Sequence, residues 1–144
     1  MQNKVLKLFI TKNDSNKTRM SLNSINLDAL GIKEDKFYNQ NLQRSVLLTS
    51  IESYKIAKNE GIDLEYGSLG ENILLEYNPY HLQEGARLLV GNCLLEITQN
   101  CTLCKGLSSV NSKLPKLLKH DRGIFAKVIG ENSQINVGDT TEVL

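Results

Sequence analysis

Two apolar arms, ARLLV (86–90) and CLLEIT (93–98), flank the dipeptide Gly91-Asn92. Two residues leave room only for a tight turn, and glycine and asparagine tolerate the left-handed backbone such turns need. The arms are therefore expected to pair as an antiparallel hairpin. Side chains alternate along a strand, so Cys93, Leu95 and Ile97 should face one side and Leu94, Glu96 and Thr98 the other.

Other segments read the same way. Residues 4–11 (KVLKLFIT) form an apolar first strand bounded by the polar KNDSNK, and residues 18–26 are expected to pair back as a second. The stretch 31–41 has little apolar content and reads as an exposed loop. Arg44 leads into Val46, Leu47 and Leu48, a short buried strand. Thr49 and Glu52 stand in capping-box relation, which starts a helix that Gly61 stops. Ile51, Tyr54, Ala57 and Lys58 share one face of it. ENILLE (71–76) reads as a strand, KLPKLLKH (113–120) as a short helix near Pro115. GIFAKVIG (123–130), QINV (134–137) and TTEVL (140–144) close the chain with three more strands. Gly85 and Gly138 fall where a turn calls for positive φ. Many short strands at turn-rich spacing indicate a mainly β domain, a barrel or sandwich, with a few short helices.

Composition narrows the function classes. The 144 residues fit one domain, 1–144, and the 40% hydrophobic and 23% charged content is that of a globular chain. The net charge is +1 and no stretch concentrates Lys and Arg, which argues against a nucleic-acid binder. Two or three convergent cations still suffice for a small anionic ligand. No apolar run approaches the roughly 20 residues that cross a bilayer, and the N-terminus lacks a signal-peptide pattern. The three cysteines, Cys93, Cys101 and Cys104, make no disulfide framework. A cytoplasmic protein without membrane attachment is expected.

The stretch ITQNCTLCKG (97–106) carries the most chemistry. A strand ends near Thr98, and Cys101 and Cys104 fall in the loop beyond, where an exposed nucleophile is usually held. Thiolate is the reactive form, so a working cysteine needs nearby positive charge. Lys105 is adjacent, and Arg44 or Arg122 could converge in space. Cys93, inside a strand, reads as a small core residue. Structural zinc needs about four ligands, and only His81 and His120 remain, without finger-like spacing. A thioredoxin-like pair would need a βαβ setting that this region lacks. The second stretch is YGSLGENI (66–73). Gly67 and Gly70 can turn successive backbone N–H groups toward an anion, and Asn72 can donate and accept. A plain β-turn explains the same residues.

In order, QRSVLL (43–48), GSLGENI (67–73), LQEGARLLVGNCLLEITQNCTLCKG (82–106) and RGIFAKVIGENSQINVGDTTEV (122–143) resemble the MOSC family, the domain at the C-terminus of molybdenum-cofactor sulfurases. The resemblance implies a MOSC-type closed β-barrel with small peripheral helices. It places the family's cysteine on Cys104. Members commonly carry Arg-x-Pro-Cys there, whereas this chain has Cys101 for the Arg and Leu103 for the Pro. Members often have a His soon after the Asp of the first loop, where this chain has Asp35-Lys36-Phe37.

The resemblance further implies sulfur or molybdenum chemistry. Cys104 would carry a persulfide supplied by a separate cysteine desulfurase, or ligate molybdenum held by molybdopterin. Pyridoxal phosphate is not expected in this chain alone. A binding and delivery module for the cofactor, or for another phosphorylated anion, is the alternative. Arg44, Gly67, Gly70, Asn72, Lys105 and Arg122 are the residues expected to face that anion. Cys101 is either an incidental surface residue or a partner able to discharge a persulfide on Cys104.

Overall fold

The computed structural model describes residues 3–101 and 110–144. The predicted hairpin is its centre: β7 (Arg87–Val90) and β8 (Cys93–Asn100) pair antiparallel with Val90 opposite Cys93. Gly91 takes φ +59°, and a Cβ there would lie 2.3 Å from Oδ2 of Asp139, so the turn needs glycine for space as well as conformation. Gly85 and Gly138 both have positive φ, as expected.

Around the hairpin stand β9 (Ile124–Ile129), β5 (Val46–Ser50), β6 (Ile73–Leu75), β1 (Val5–Thr11) and β2 (Arg19–Leu22), with β11 (Thr141–Val143) on the far side of β7. They form one eight-stranded sheet in the order β11-β7-β8-β9-β5-β6-β1-β2. A second sheet, β10-β3-β4, is made by β10 (Ser133–Asn136), β3 (Ser24–Asp28) and β4 (Gly31–Ile32). The two share one core, in which Leu8, Leu48 and Leu95 of the large sheet meet Leu27, Ile32 and Ile135 of the small one. Each such side chain contributes about 1.5–3 kcal/mol by leaving water.

The closed barrel is corrected: the large sheet is open. The reason lies in β1. Its edge opposite β6 is taken by β2 over residues 8–11. The stretch 3–5 reaches the other end of the sheet through the Lys4–Thr140 bridge and through bonds from Thr141 N–H to the Asn3 carbonyl (2.7 Å), from Val5 N–H to the Asp139 carbonyl (2.8 Å) and from Gly138 N–H to the Val5 carbonyl (2.9 Å). The ends touch without forming a continuous ladder.

Two helices, α1 (Ile51–Asn59) and α2 (Leu114–Leu117), cover the outer face of this sheet. Period-two alternation explains how. Ile73 and Leu75 of β6 point into the shared core, whereas Leu74 points out to Tyr54, Ala57, Leu114 and Leu118.

Four local expectations change. The cap of α1 is Ser50, whose Oγ accepts from Glu52 N–H (3.1 Å); Thr49 stays in β5, where its hydroxyl meets a buried carboxylate. Residues 18–26 are parts of two strands in different sheets, not one. The stretch 31–41 is no mere exposed loop, because Ile32 is fully buried and Asp35 is pinned inside by the N–H groups of Thr11 (2.8 Å) and Phe37 (3.2 Å). Thr98 turns inward, because a bulge between Ile97 and Gln99 shifts the alternation. Cys93 is a core residue as expected, fully buried in β8.

Candidate functional site

The strands β8, β9, β5, β6 and β1 end side by side, and an open crevice of about 870 Å³ lies along these ends. Its apolar floor includes Leu47, Leu69, Phe125 and Cys101. Five cations line it: Lys17, Arg19, Lys36, Arg44 and Arg122. No Asp or Glu is among its described lining residues, and the sequence of 102–109, TLCKGLSS, has none either. None of the ion pairs among the described residues involves these five. Their charge is therefore uncompensated by direct contact, which is the electrostatic setting for an anion.

Each expected residue has a definite place. Arg44 closes a short 3-10 turn, Leu42–Arg44, whose cap is the Asn41 side chain. The inward-turned Thr98 hydroxyl binds the Gln43 carbonyl, fixing that turn onto β8. Arg44 then lays its guanidinium over the Phe125 ring, 4.7 Å from the centroid. Arg122 precedes β9 and donates from Nη1 to the Leu69 carbonyl (2.9 Å). Its Nε is buried and has no hydrogen-bond partner among the described residues. A buried donor left so costs about 1–3 kcal/mol unless an acceptor arrives. Gly123 lets the backbone pass beside Leu47 and the Leu48 carbonyl, and its own carbonyl accepts from Cys101 N–H (3.0 Å).

The 67–72 stretch is built differently from an open amide cradle. Gly67 N–H donates to Tyr54 Oη (3.0 Å) and Gly70 N–H to the Gly67 carbonyl (3.1 Å). Gly70 lines the crevice; Gly67 does not. Asn72 lines it too, but its amide spans two strands, accepting from Leu47 N–H (2.9 Å) and donating to the Phe9 carbonyl (3.2 Å). Glu71 is fully buried, its Oε2 accepting from Thr49 (2.8 Å) and from Tyr54. What the loop offers the crevice is its carbonyls: those of Gly67 and Glu71 hold Arg19, and that of Leu69 holds Arg122.

Cys104 and Lys105 lie outside the described residues. Cys101 does not, and it corrects the expectation of an incidental surface residue: it is 6% exposed, packs with Leu47 and Phe125, and lines the crevice. The described chain thus reaches the crevice wall three positions before Cys104. His81 and His120 are exposed, and no cluster of three or more metal-ligating side chains occurs among the described residues. No helix among them is long and apolar enough to cross a membrane. Lys17, Arg19 and Lys36 went unrecognised in the sequence. The polar turn KNDSNKTR (12–19) carries Lys17 and Arg19, but neither it nor the surroundings of Lys36 has a pattern that marks a site.

Behind the loop, burial pushes the Tyr54 and Tyr80 phenols well above the usual tyrosine range. Unfolded tyrosine loses its proton near pH 10, so above that the native state binds more protons than the unfolded one. Stability is expected to be insensitive to these groups below about pH 10 and to fall as pH rises beyond it. Urea midpoints measured from pH 8 to 11 check this, and Tyr54→Phe should flatten the alkaline slope.

A mainly β fold of open sheets, with a cationic crevice whose wall includes Cys101, defines the class. The MOSC domain family matches residues 34–142, and the chain belongs to that family. The YuaD protein of Bacillus subtilis superimposes with a TM-score of 0.83 at 21% identity, covering 99% of this chain and 96% of that one. YiiM of Geobacillus stearothermophilus gives 0.74 at 14% identity (99% and 75% covered), and YiiM of Escherichia coli 0.73 at 16% (100% and 70%). At these identities the likeness is one of fold. No curated protein matches the sequence.

Proposed function

We propose that the crevice binds a phosphate-bearing anionic ligand and that Cys104, three positions beyond the wall residue Cys101, acts as a sulfur carrier. The supporting observation is the five-cation crevice with no acid among its described lining residues, at whose edge the chain enters the cysteine loop. Cations near a cysteine favour thiolate over thiol. The thiolate attacks the outer sulfur of a persulfide on a separate cysteine desulfurase. A new S–S bond forms to Cys104, the donor S–S bond breaks, and the donor leaves as thiolate, so charge and atoms balance. A persulfide anion on Cys104 then sits beside the same cations until an acceptor takes the sulfur.

The molybdenum cofactor of the MOSC family is an anionic, phosphate-bearing pterin, and the donor set suits it. Arg44 and Arg122 would hold its anionic groups, and the buried Arg122 Nε has an unused proton to give. When bound, that cofactor supplies oxo- or sulfur-transfer chemistry at its metal, with Cys104 as a thiolate ligand. The chain's own part is to orient the anion and to hold the thiol ionised.

Incubation with a cysteine desulfurase and labelled cysteine tests the carrier role. Intact mass should rise by one sulfur atom in the native chain and not in Cys104→Ser. Arg122→Gln should load several-fold more slowly, because a nearby charge is lost. No added sulfur on Cys104 would overturn the carrier role.

A further inference from the structure

We infer that Lys17, Arg19 and Lys36 form an oxyanion subsite for the phosphate-type dianion of an elongated ligand, at the end of the crevice away from Cys101. This rests on reading the crevice as an anion site, and it adds where the ligand's tail is gripped.

The two ends are far apart in the sheet. Cys101 continues β8 and Arg19 begins β2, with β9, β5, β6 and β1 between them. At about 4.8 Å per strand, five steps span on the order of 20 Å along the curved surface. A sulfur atom or a small inorganic ion at one end cannot touch the other, yet both ends line one crevice.

Arg19 is held rigidly and left charged. Its Nη2 donates to the carbonyls of Gly67 (3.0 Å) and Glu71 (2.8 Å), and its Nη1 to the Thr11 hydroxyl (3.2 Å). The Phe9 ring lies under it, 5.2 Å from centroid to guanidinium. All three acceptors are neutral, so they orient the guanidinium without cancelling its charge. The nearest carboxylates are engaged elsewhere: Asp35 with the N–H groups of Thr11 and Phe37, Glu71 with Thr49 and Tyr54. Neither forms an ion pair with Arg19.

Thr11 brings the second cation in. Its hydroxyl receives Arg19, and its carbonyl accepts from the backbone N–H of Lys36 (2.7 Å), so the end of β1 anchors both segments; the Lys36 ammonium itself lies over the crevice-lining Phe37 ring, 4.7 Å from the centroid. Lys17 completes the group from the turn before β2, where it takes φ +47°, a conformation uncommon outside glycine and asparagine. Three cations with no acid among the lining residues, the buried Asp35 and Glu71 offsetting Arg19 only from behind, match a doubly charged tetrahedral anion better than a carboxylate, and a rigid guanidinium is the usual reader of such an anion. The loop carbonyls that hold Arg19 alternate with the one that holds Arg122. A ligand gripping both arginines would therefore press on a single loop from its two ends.

The test is titration of the full chain with phenyl phosphate and with inorganic phosphate, followed by calorimetry or amide chemical shifts. Both should bind. Arg19→Gln should weaken binding about tenfold, the loss of one charge-assisted contact. Because Arg19 also anchors the 67–71 loop, the Lys17→Gln/Lys36→Gln pair provides a second measure, with weaker binding and a shallower salt dependence. Phenyl phosphate binding more tightly than phosphate identifies the tail of a larger molecule as the source; equal affinities identify a free anion and overturn the elongated-ligand inference. Unchanged binding in both variants, or none in the native chain, overturns the subsite. Sulfur loading of Cys104 in the native chain, measured separately, keeps the two readings apart: phosphate binding without loading sinks the carrier role and leaves the subsite, and loading without phosphate binding overturns the subsite.

Discussion

Asn72→Ala is expected to destabilise the protein by about 2–4 kcal/mol, two buried backbone groups losing their partners at once. Asn72 is 5% exposed, and its amide joins Leu47 N–H on one side to the Phe9 carbonyl on the other. Its backbone makes the same crossing, from Asn72 N–H to the Leu47 carbonyl and from Phe9 N–H to the Asn72 carbonyl. The residue thus extends the ladder one step beyond β6, where the 67–71 loop enters the sheet. Alanine retains the backbone pair and deletes the side-chain pair. Asn72→Asp should fall between, because it keeps an acceptor for Leu47 and sets an oxygen against the Phe9 carbonyl. Urea denaturation with an unchanged m-value measures both. A loss under about 1 kcal/mol for alanine would show that water from the crevice replaces the amide.

The second large effect belongs to Gly67. Its φ is +95°, and a Cβ placed there would lie 2.9 Å from Cε1 of Phe9. Gly67→Ala therefore combines backbone strain of about 1–2 kcal/mol with an overlap that the buried Phe9 ring relieves only by moving. A total of about 2–4 kcal/mol is expected. Gly70 provides the control. Its φ is +83°, with nothing within 4 Å of a Cβ, so Gly70→Ala should cost only the strain. Equal losses at the two positions would refute the packing argument. Because Phe9 underlies Arg19 and the Gly67 carbonyl binds it, Gly67→Ala should also weaken phosphate binding where Gly70→Ala does not.

These residues show how the site could be seen in the sequence and how it could not. The GSLGEN stretch stands out for its glycines, which fit either a plain β-turn or an amide cradle. The positive φ values bear out the turn. The direction of the polar groups was not legible, since it depends on Tyr54, thirteen residues away in α1, taking the Gly67 N–H. Arg44 and Arg122 were recognised as flanking strands, and a strand's neighbours follow from its ends. Lys17, Arg19 and Lys36 were missed because single lysines and arginines in polar turns have no local pattern. They become a cluster only when β1, β2 and the 35–37 segment meet at Thr11.

The sequence by itself determined the hairpin at Gly91-Asn92, most strand and helix positions to within a few residues (the 19–32 region, with β2, β3 and β4, excepted), and Cys93 as core. Alternation, turn chemistry and helix breaks are properties of neighbours along the chain, so a linear reading reaches them. The tertiary structure alone decided that the large sheet stays open, that Cys101 lines the crevice, and that five scattered cations share it without an acid. Those outcomes rest on which strand occupies each edge of β1 and on contacts between residues tens of positions apart. Such contacts are set by the packing of two sheets on one core, which no local stretch of sequence contains.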